Sequence, residues 1–208
     1  MTRKQTSPAA ERNKGPILEV LKDTLPRYGT VLEIASGTGQ HAVYFTEHLP
    51  PLLWQPTDPD PEARTSIRDW WWEVQLKNIL PPLDLDVCKT PWPVEITPPP
   101  EPITSIVCIN MIHISPWAAC VALMEGAGRL LPPEGILYLY GPYRLDGNHT
   151  APSNAEFDRW LKNQNPEWGV RDLGHVRQMA AKNGLEFVRT VAMPANNLSV
   201  IFRKNPGL

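Results

Sequence analysis

A short apolar run followed by a glycine-containing turn constrains this chain more than any other feature. The run spans residues 31–34 with Glu33 inside it, and Gly37 and Gly39 come soon after. An apolar run of this length predicts a buried parallel strand, and glycines behind it predict a tight turn into a helix. Such a strand-turn-helix unit allows the backbone to approach a nucleotide-like cofactor closely.

The acidic residue Glu33 distinguishes between two classes of cofactor that a glycine-containing turn can bind. Gly37, Gly39 and Ala42 match the dinucleotide pattern G-x-G-x-x-G/A. A carboxylate in front of the turn faces a pyrophosphate unfavourably, whereas S-adenosylmethionine has no phosphate and carries a sulfonium and an ammonium group. The acidic residue therefore favours S-adenosylmethionine, with Ala35 and the two glycines lining the turn. An ordinary tight turn with a solvated Glu33 stays open as an alternative.

Length and composition exclude several classes of protein. With 208 residues and 42% hydrophobic content, residues 1–208 suit a single domain. The formal net charge of −2 offers no broad basic field for a nucleic acid. The arm 1–14 is polar and no long apolar run occurs, so we expect a cytoplasmic protein without a membrane segment. Three cysteines without C-x-x-C spacing argue against a disulfide framework and a zinc site, and no metal is expected.

Apolar runs alternate with helical patterns along the chain. Strands are expected at 31–34, 52–57, 83–87, 103–110, 136–140, 185–193 and 198–203. This pattern predicts an α/β, Rossmann-like fold with a seven-stranded, mostly parallel sheet, helices on both faces and a C-terminal antiparallel hairpin. A lead-in helix is expected from Pro16. Prolines between 88 and 102 predict a covering loop in place of a crossover helix.

Acidic residues follow the second and third predicted strands. Ligands of open α/β sheets bind at the carboxyl ends of strands, so these residues are candidates for cofactor contacts. Asp58 is placed to accept both ribose hydroxyls, although a simple helix-start turn remains an alternative. Asp86 is placed to accept the adenine amine beside Val87. Asp84 is its rival, because strand alternation puts both carboxylates on one side.

The expected reaction centre follows the most apolar strand. Asn110 would hold the hydrogen of a nucleophile or the amino group of the cofactor, and His113 would remove a proton from an O–H or N–H group. Tyr140 and Tyr143 begin a polar, aromatic segment that would close over a substrate. A structural role for His113, and a surface-loop role for the tyrosine segment, stay open.

Taken in order, these residues resemble the class I S-adenosylmethionine-dependent methyltransferases over almost the whole chain. The segments 11–18, 37–41, 110–115 and 140–143 are more narrowly similar to the uncharacterised family that includes methyltransferase-like protein 26. The resemblance implies S-adenosylmethionine as cofactor and S-adenosylhomocysteine as product. It also implies that Arg12 and Asn13 help to bind the methionine end of the cofactor, unless they only cap the first helix.

The sequence therefore predicts an enzyme that methylates an oxygen or nitrogen nucleophile of a small molecule. Positioning alone can supply much of the acceleration of such a transfer, so a strong general base is optional. The expected partner is a small-molecule acceptor, and no membrane partner is expected. The charge balance argues against a nucleic acid, although a local basic patch stays open. A NAD(P)-dependent oxidoreductase and a non-catalytic cofactor-binding or interaction protein stay open as alternatives.

Overall fold

The computed structural model describes residues 3–206. Helices and strands alternate along the chain, which gives an α/β fold with a central sheet of six strands. The chain divides into two compact units, Met1–Val107 and Cys108–Leu208. Within residues 3–206, no helix combines the length and the apolar character that crossing a membrane requires.

The first unit carries the predicted strand-turn-helix segment. In chain order its elements are α1 (Pro8–Thr24), β1 (Thr30–Ile34), α2 (Gln40–His48), β2 (Leu53–Pro56), α3 (Pro61–Val74), α4 (Pro93–Ile96) and most of β3 (Ile103–Ile109). The sheet order in this unit is β2-β1-β3, so the strand that leads into the glycine turn is central. Strands β1 and β2 are parallel, with Thr30 opposite Leu53 and Glu33 opposite Pro56.

The first helix begins earlier than the sequence predicts. Ser7 caps α1 by accepting the N–H of Ala10 at 3.4 Å, and Pro8 takes the first helical position, where its missing N–H costs nothing. Helix therefore covers residues 8–14, which we expected to be part of a polar arm. Arg12 and Asn13 lie inside this helix, so neither of them caps it.

The central sheet has six strands where the sequence predicts seven. Residues 83–87 form no regular strand, and only an isolated bridge joins Leu83 to Thr57. Pro81 and Pro82 lie between this bridge and a second one that joins Ile79 to Trp54, and proline lacks the N–H that a continuous ladder needs. Beyond Leu83 the chain turns away, and the side chain of Asp86 accepts the N–H of Cys88 in that turn. The covering loop predicted at 88–102 also differs, because its centre forms the single helical turn α4, which directly follows the buried Trp92.

The second unit carries the C-terminal half of the sheet. Its elements after β3 are α5 (Trp117–Leu130), β4 (Ile136–Gly141), β5 (Arg144–Leu145), β6 (Asn148–His149), α6 (Pro152–Gln164), α7 (Leu173–Lys182), β7 (Leu185–Met193), a 3-10 turn (Pro194–Asn196) and β8 (Asn197–Lys204). The sheet order here is β4-β8-β7. Both pairings are antiparallel, which confirms the predicted C-terminal hairpin. Strands β5 and β6 form a separate small hairpin just after β4.

Candidate functional site

The turn after β1 combines close packing with open space. Gly39 has φ +87°, and a Cβ there would lie 2.9 Å from the Cα of Ile67 in α3, so this position needs glycine for packing. Gly37 has φ +56°, but a Cβ there would meet no atom within 4 Å. Ala35 also adopts a left-handed backbone, with φ 55°. The turn is therefore bent tightly while the space beside Gly37 stays free for a ligand.

Asp58 is held beside this turn. The backbone N–H of Gly37 donates to its Oδ2 at 2.9 Å, and that of Asp60 donates to its Oδ1 at 2.9 Å. Burial raises the pKa of Asp58. A carboxylate has about four acceptor sites, so two remain for other donors. The backbone thus holds the carboxylate in a fixed orientation and leaves acceptor positions for further donors.

Glu33 lies in the interior rather than at the surface. Its side chain is buried, and the indole N–H of Trp54 donates to its Oε2 at 2.9 Å. Burial raises the pKa of Glu33 to about 7. A neighbouring cation would favour the charged form of such a group. The residue therefore suits a cationic ligand better than an anionic one.

Asp84 and Asp86 are held in different ways. The guanidinium of Arg64 contacts Oδ2 of Asp84 at 3.1 Å and also donates to the carbonyl oxygen of Asp58 at 2.8 Å. Asp86 accepts the N–H of Cys88 at 3.0 Å and so closes its own turn beside the buried Val87. Asp84 is thus linked to the end of β2, and Asp86 belongs to the segment that follows.

Arg12 and Asn13 take different positions on α1. The Nε2–H of His41, in the first turn of α2, donates to Oδ1 of Asn13 at 2.7 Å. Burial lowers the pKa of His41 to about 4, so its ring is neutral. Arg12 is exposed. Asn13 therefore joins α1 to the helix behind the glycine turn, and Arg12 is the residue of this pair that remains accessible.

A contact that the sequence did not reveal connects the N-terminal segment to the glycine turn. The N–H of Gln5 donates to Oγ of Ser66 at 2.7 Å, and that hydroxyl donates to the carbonyl oxygen of Thr38 at 2.7 Å. Arg3 and Gln5 also line a cavity of about 400 Å³ beside the first turn of α3. The residues before α1 thus hold the turn through a side chain of α3.

The second unit contains the expected reaction centre. Asn110 directly follows β3 with φ 64°, a left-handed conformation that asparagine tolerates. Its N–H donates to the carbonyl oxygen of Tyr140 at 2.8 Å, and its own carbonyl accepts the N–H of His113 at 3.0 Å. These bonds bring Asn110, Tyr140 and His113 together at the end of β4.

His113 is fully buried and its ring orientation is set by the backbone. The N–H of Arg171 donates to Nδ1 at 3.2 Å, so the proton of the neutral ring lies on Nε2. Burial lowers the pKa of His113 to about 3. Nε2 has no hydrogen-bond partner among the described residues. A Cβ at position 141 would lie 2.6 Å from Nε2, so glycine there leaves room for the ring.

Tyr143 packs its ring edge-on against His113, with ring centroids 4.9 Å apart and an angle of 84° between the planes. It is fully buried, and burial raises the pKa of its hydroxyl well above the usual value. In the part of the chain that is described, this hydroxyl has no hydrogen-bond partner. Two buried polar atoms in one cluster therefore lack a partner among the described residues. Such atoms are uncommon in folded proteins, so they mark this cluster as a candidate site.

Arg171 organises this cluster, and sequence reasoning missed it. Its Nε–H donates to the carbonyl oxygen of Ile112 at 2.8 Å, and its guanidinium also reaches the carbonyl oxygens of Ser115 and Glu167. These partners lie far from Arg171 or have no recognisable spacing, so no local pattern reveals the contact.

Over residues 3–206, no group of three or more His, Cys, Asp or Glu side chains is arranged to hold a metal ion.

The fold is similar to that of known methyltransferases. An O-methyltransferase family protein from Burkholderia thailandensis aligns with a TM-score of 0.78 and 16% identity, covering 96% of this chain and 58% of that one. Human N-acetylserotonin methyltransferase in complex with SAM aligns with a TM-score of 0.74 and 16% identity, covering 95% and 53%. This chain thus spans little more than half the length of either protein.

A third structure has about the same length as this chain. A putative sarcosine dimethylglycine methyltransferase from Galdieria sulphuraria aligns with a TM-score of 0.71 and 14% identity, covering 100% of this chain and 94% of that one. Identities this low establish the shared fold alone.

The family model described as "Protein of unknown function (DUF938)" matches residues 4–204. The chain therefore belongs to the DUF938 family.

Proposed function

We propose that this chain is an S-adenosylmethionine-dependent methyltransferase that acts on an oxygen or nitrogen atom of a small molecule. The observation that carries the proposal is the turn after β1, where open space beside Gly37 adjoins a carboxylate, Asp58, that the backbone holds in place. The methyltransferase folds of the similar structures support it. As an extension, we propose a place among relatives of methyltransferase-like protein 26, and a cytoplasmic location.

The donor set of the first unit fits the chemistry of this cofactor. We assign the two free acceptor positions of Asp58 to ribose hydroxyls and the carboxylate of Asp86 to the adenine amine, with Val87 as an apolar neighbour. Buried Glu33 favours a cationic ligand at the end of β1. Arg12 is assigned to the methionine end of the cofactor. When bound, S-adenosylmethionine supplies a methyl group that is activated by its attachment to a sulfonium.

In the second unit we assign His113 a positioning role instead of the removal of a proton. Its Nδ1 is occupied by the N–H of Arg171, and its Nε2 carries the ring proton. Nε2–H is therefore a hydrogen-bond donor, as is the hydroxyl of Tyr143 beside it. Together with the amide of Asn110, and with Tyr140 on β4, these groups would orient a polar acceptor. Orientation of this kind can supply much of the acceleration.

Calorimetric titration of the full chain with S-adenosylhomocysteine and, separately, with NAD tests the proposal. The variants are Glu33→Gln and Asp58→Asn, because each keeps the size of the side chain and removes its charge. Glu19→Gln is the matched control, since Glu19 is exposed on α1. We expect S-adenosylhomocysteine to bind the native chain and the control, and to bind Asp58→Asn at least tenfold more weakly, since hydrogen bonds to charged groups contribute about 1.5–3 kcal/mol.

The alternatives give different results in the same titrations. Binding of NAD without S-adenosylhomocysteine would replace the methyltransferase by an oxidoreductase. Binding of neither compound would leave an interaction protein without this cofactor. Undiminished binding of S-adenosylhomocysteine to both variants would mean that the cofactor lies elsewhere on the chain.

A further inference from the structure

The second unit contains a cavity whose lining is rich in positive charge. Its volume is about 360 Å³, a size that suits a small molecule. Arg144, Arg171, Asp172, His175 and Trp117 contribute to its wall. Two arginines and one carboxylate give a net charge of +1 before any contribution from His175. The cavity therefore favours an anionic ligand.

The two arginines are brought together by the backbone. The N–H of Arg144 in β5 donates to the carbonyl oxygen of Arg171 at 2.9 Å, which places both side chains on the same cavity. Burial lowers the pKa of Arg171, and the positive charge of Arg144 acts in the same direction. Like charges in one cavity repel each other, so an anion between them would be stabilised.

The nearby carboxylates leave a net positive charge on this pair. Asp172 accepts the N–H groups of Gly147 at 2.7 Å and of Gly174 at 2.9 Å, so the backbone holds its carboxylate in place, and its single negative charge offsets only one of the two arginines. Asp158, which acts on Arg171 at longer range, is paired with Lys162 at 2.6 Å. Within residues 3–206, the side chain of Arg144 makes no hydrogen bond or ion pair, and its Nε is buried. Arg144 thus has donors available for a ligand.

Two residues of the cavity wall are also linked to residues of the proposed reaction centre. Arg144 follows Tyr143 directly in the chain, and the N–H of Arg171 is the group that fixes the ring of His113. Trp117 begins α5 and lies under the guanidinium of Arg171, which is 5.7 Å from the centre of the indole ring. An aromatic wall beside two guanidinium groups would accommodate an apolar body that ends in an anion.

We propose that this cavity binds the carboxylate or phosphate group of the methyl acceptor, with Arg144 and Arg171 contacting the anion and Trp117 packing against the rest of the molecule. The identification of this molecule as the acceptor rests on the proposed methyltransferase function. Anion binding in the cavity rests only on the second unit. The substrate class is therefore an anionic small molecule.

Nuclear magnetic resonance of the full chain with defined probes tests this proposal. The indole N–H resonance of Trp117, assigned with Trp117→Phe, reports on the cavity. Inorganic phosphate and benzoate are titrated separately, with neutral benzamide and sodium chloride as controls at matched ionic strength. We expect a saturable shift with one or both anions, at least tenfold weaker in Arg144→Gln because a charged hydrogen-bond donor is lost.

Matched variants distinguish specific anion binding in this cavity from a nonspecific effect of charge and from loss of the fold. Arg159→Gln removes an exposed arginine of α6 and should leave the titration unchanged. Arg144→Lys keeps the charge without the planar fork of donors and should retain part of the affinity. A shift with phosphate alone would identify a phosphate-bearing acceptor, and a shift with benzoate alone a carboxylic acid.

Three results would overturn the anion site: no saturable shift, a shift as large with benzamide, or an unchanged titration in both Arg144 variants with native spectra. Failure of the methyltransferase proposal looks different, because it appears as absent S-adenosylhomocysteine binding while the anions still shift Trp117. Binding of S-adenosylhomocysteine without anion binding would leave the proposed function standing and refute only the cavity.

Discussion

The backbone N–H of Arg171 donates to Nδ1 of His113 across 58 positions of sequence. This bond determines which ring nitrogen carries the proton. Since the ring is also fully buried, the histidine that looked like a base in the sequence is a neutral donor in the fold.

Substitution of His113 by asparagine should change how stability depends on pH. Burial lowers the pKa of His113 from 6.5 to about 3, so the folded state binds fewer protons than the unfolded state in this window. The free energy of unfolding that the neutral ring contributes is complete above pH 6.5 and decreases as the pH falls toward 3. Between pH 6.5 and 5 the native chain should lose about 2 kcal/mol relative to His113→Asn.

Urea unfolding of both proteins at these two pH values measures this difference. Asparagine keeps an acceptor near the position of Nδ1, so the N–H of Arg171 should stay bonded in the variant. Equal pH dependence of the two proteins would contradict a buried, neutral His113.

Glu33→Gln should show the opposite pH dependence. Burial raises the pKa of Glu33 from 4.5 to about 7, so the folded state binds more protons than the unfolded state between these values. The free energy of unfolding that the protonated Glu33 contributes is complete below pH 4.5 and is lost as the pH rises through 7. Relative to Glu33→Gln, the native chain should lose on the order of 3 kcal/mol over this range.

Glutamine is the appropriate replacement because its amide oxygen still accepts the indole N–H of Trp54. The exposed control Glu19→Gln should follow the native chain at every pH in the same unfolding series. A native chain that tracked Glu33→Gln throughout would show that Glu33 titrates normally.

The two glycines of the turn should differ in their tolerance of alanine. At Gly39 a Cβ would lie 2.9 Å from backbone of α3, and φ is +87°, so Gly39→Ala should cost more than about 2 kcal/mol. At Gly37 only the backbone strain remains, and Gly37→Ala should cost about 1 kcal/mol. Urea unfolding measures both free energies, and a reversed order would refute the packing role of Gly39.

Tyr143→Phe and Tyr138→Phe form a second matched pair. The hydroxyl of Tyr143 has no partner in the described part of the chain, so its removal should leave the free energy of unfolding unchanged or raised. The hydroxyl of Tyr138 is bonded to Oγ of Ser199 at 2.6 Å, so its removal should cost about 1–3 kcal/mol.

The activities of Tyr143→Phe and Tyr138→Phe should show the opposite order from their stabilities, and an identified acceptor allows this to be measured. Tyr143→Phe should lower kcat/KM because its hydroxyl is assigned to the acceptor, whereas Tyr138→Phe should retain kcat/KM. A Tyr143→Phe variant that is less stable and fully active would place Tyr143 in the core rather than in the site.

The sequence determined the features that depend on neighbouring residues. Alternating apolar runs predict an α/β fold with an antiparallel C-terminal hairpin, and the structure confirms both. The apolar pattern of 83–87 predicted a seventh strand, but Pro81 and Pro82 interrupt the ladder just before Leu83 and the chain turns at Asp86. The start of α1 at Pro8 was likewise readable from Ser7 and Pro8.

The electrostatic character of the site depends on contacts that form only when the chain folds. Burial raises the pKa of Glu33 and the hydrogen bond from Trp54 acts against that rise, while the tautomer of His113 depends on Arg171, which is distant in sequence. The two arginines of the proposed anion site are joined by a backbone bond between Arg144 and Arg171. Local patterns record backbone preference and apolar periodicity, whereas desolvation and charge pairing are set by residues that meet only after folding.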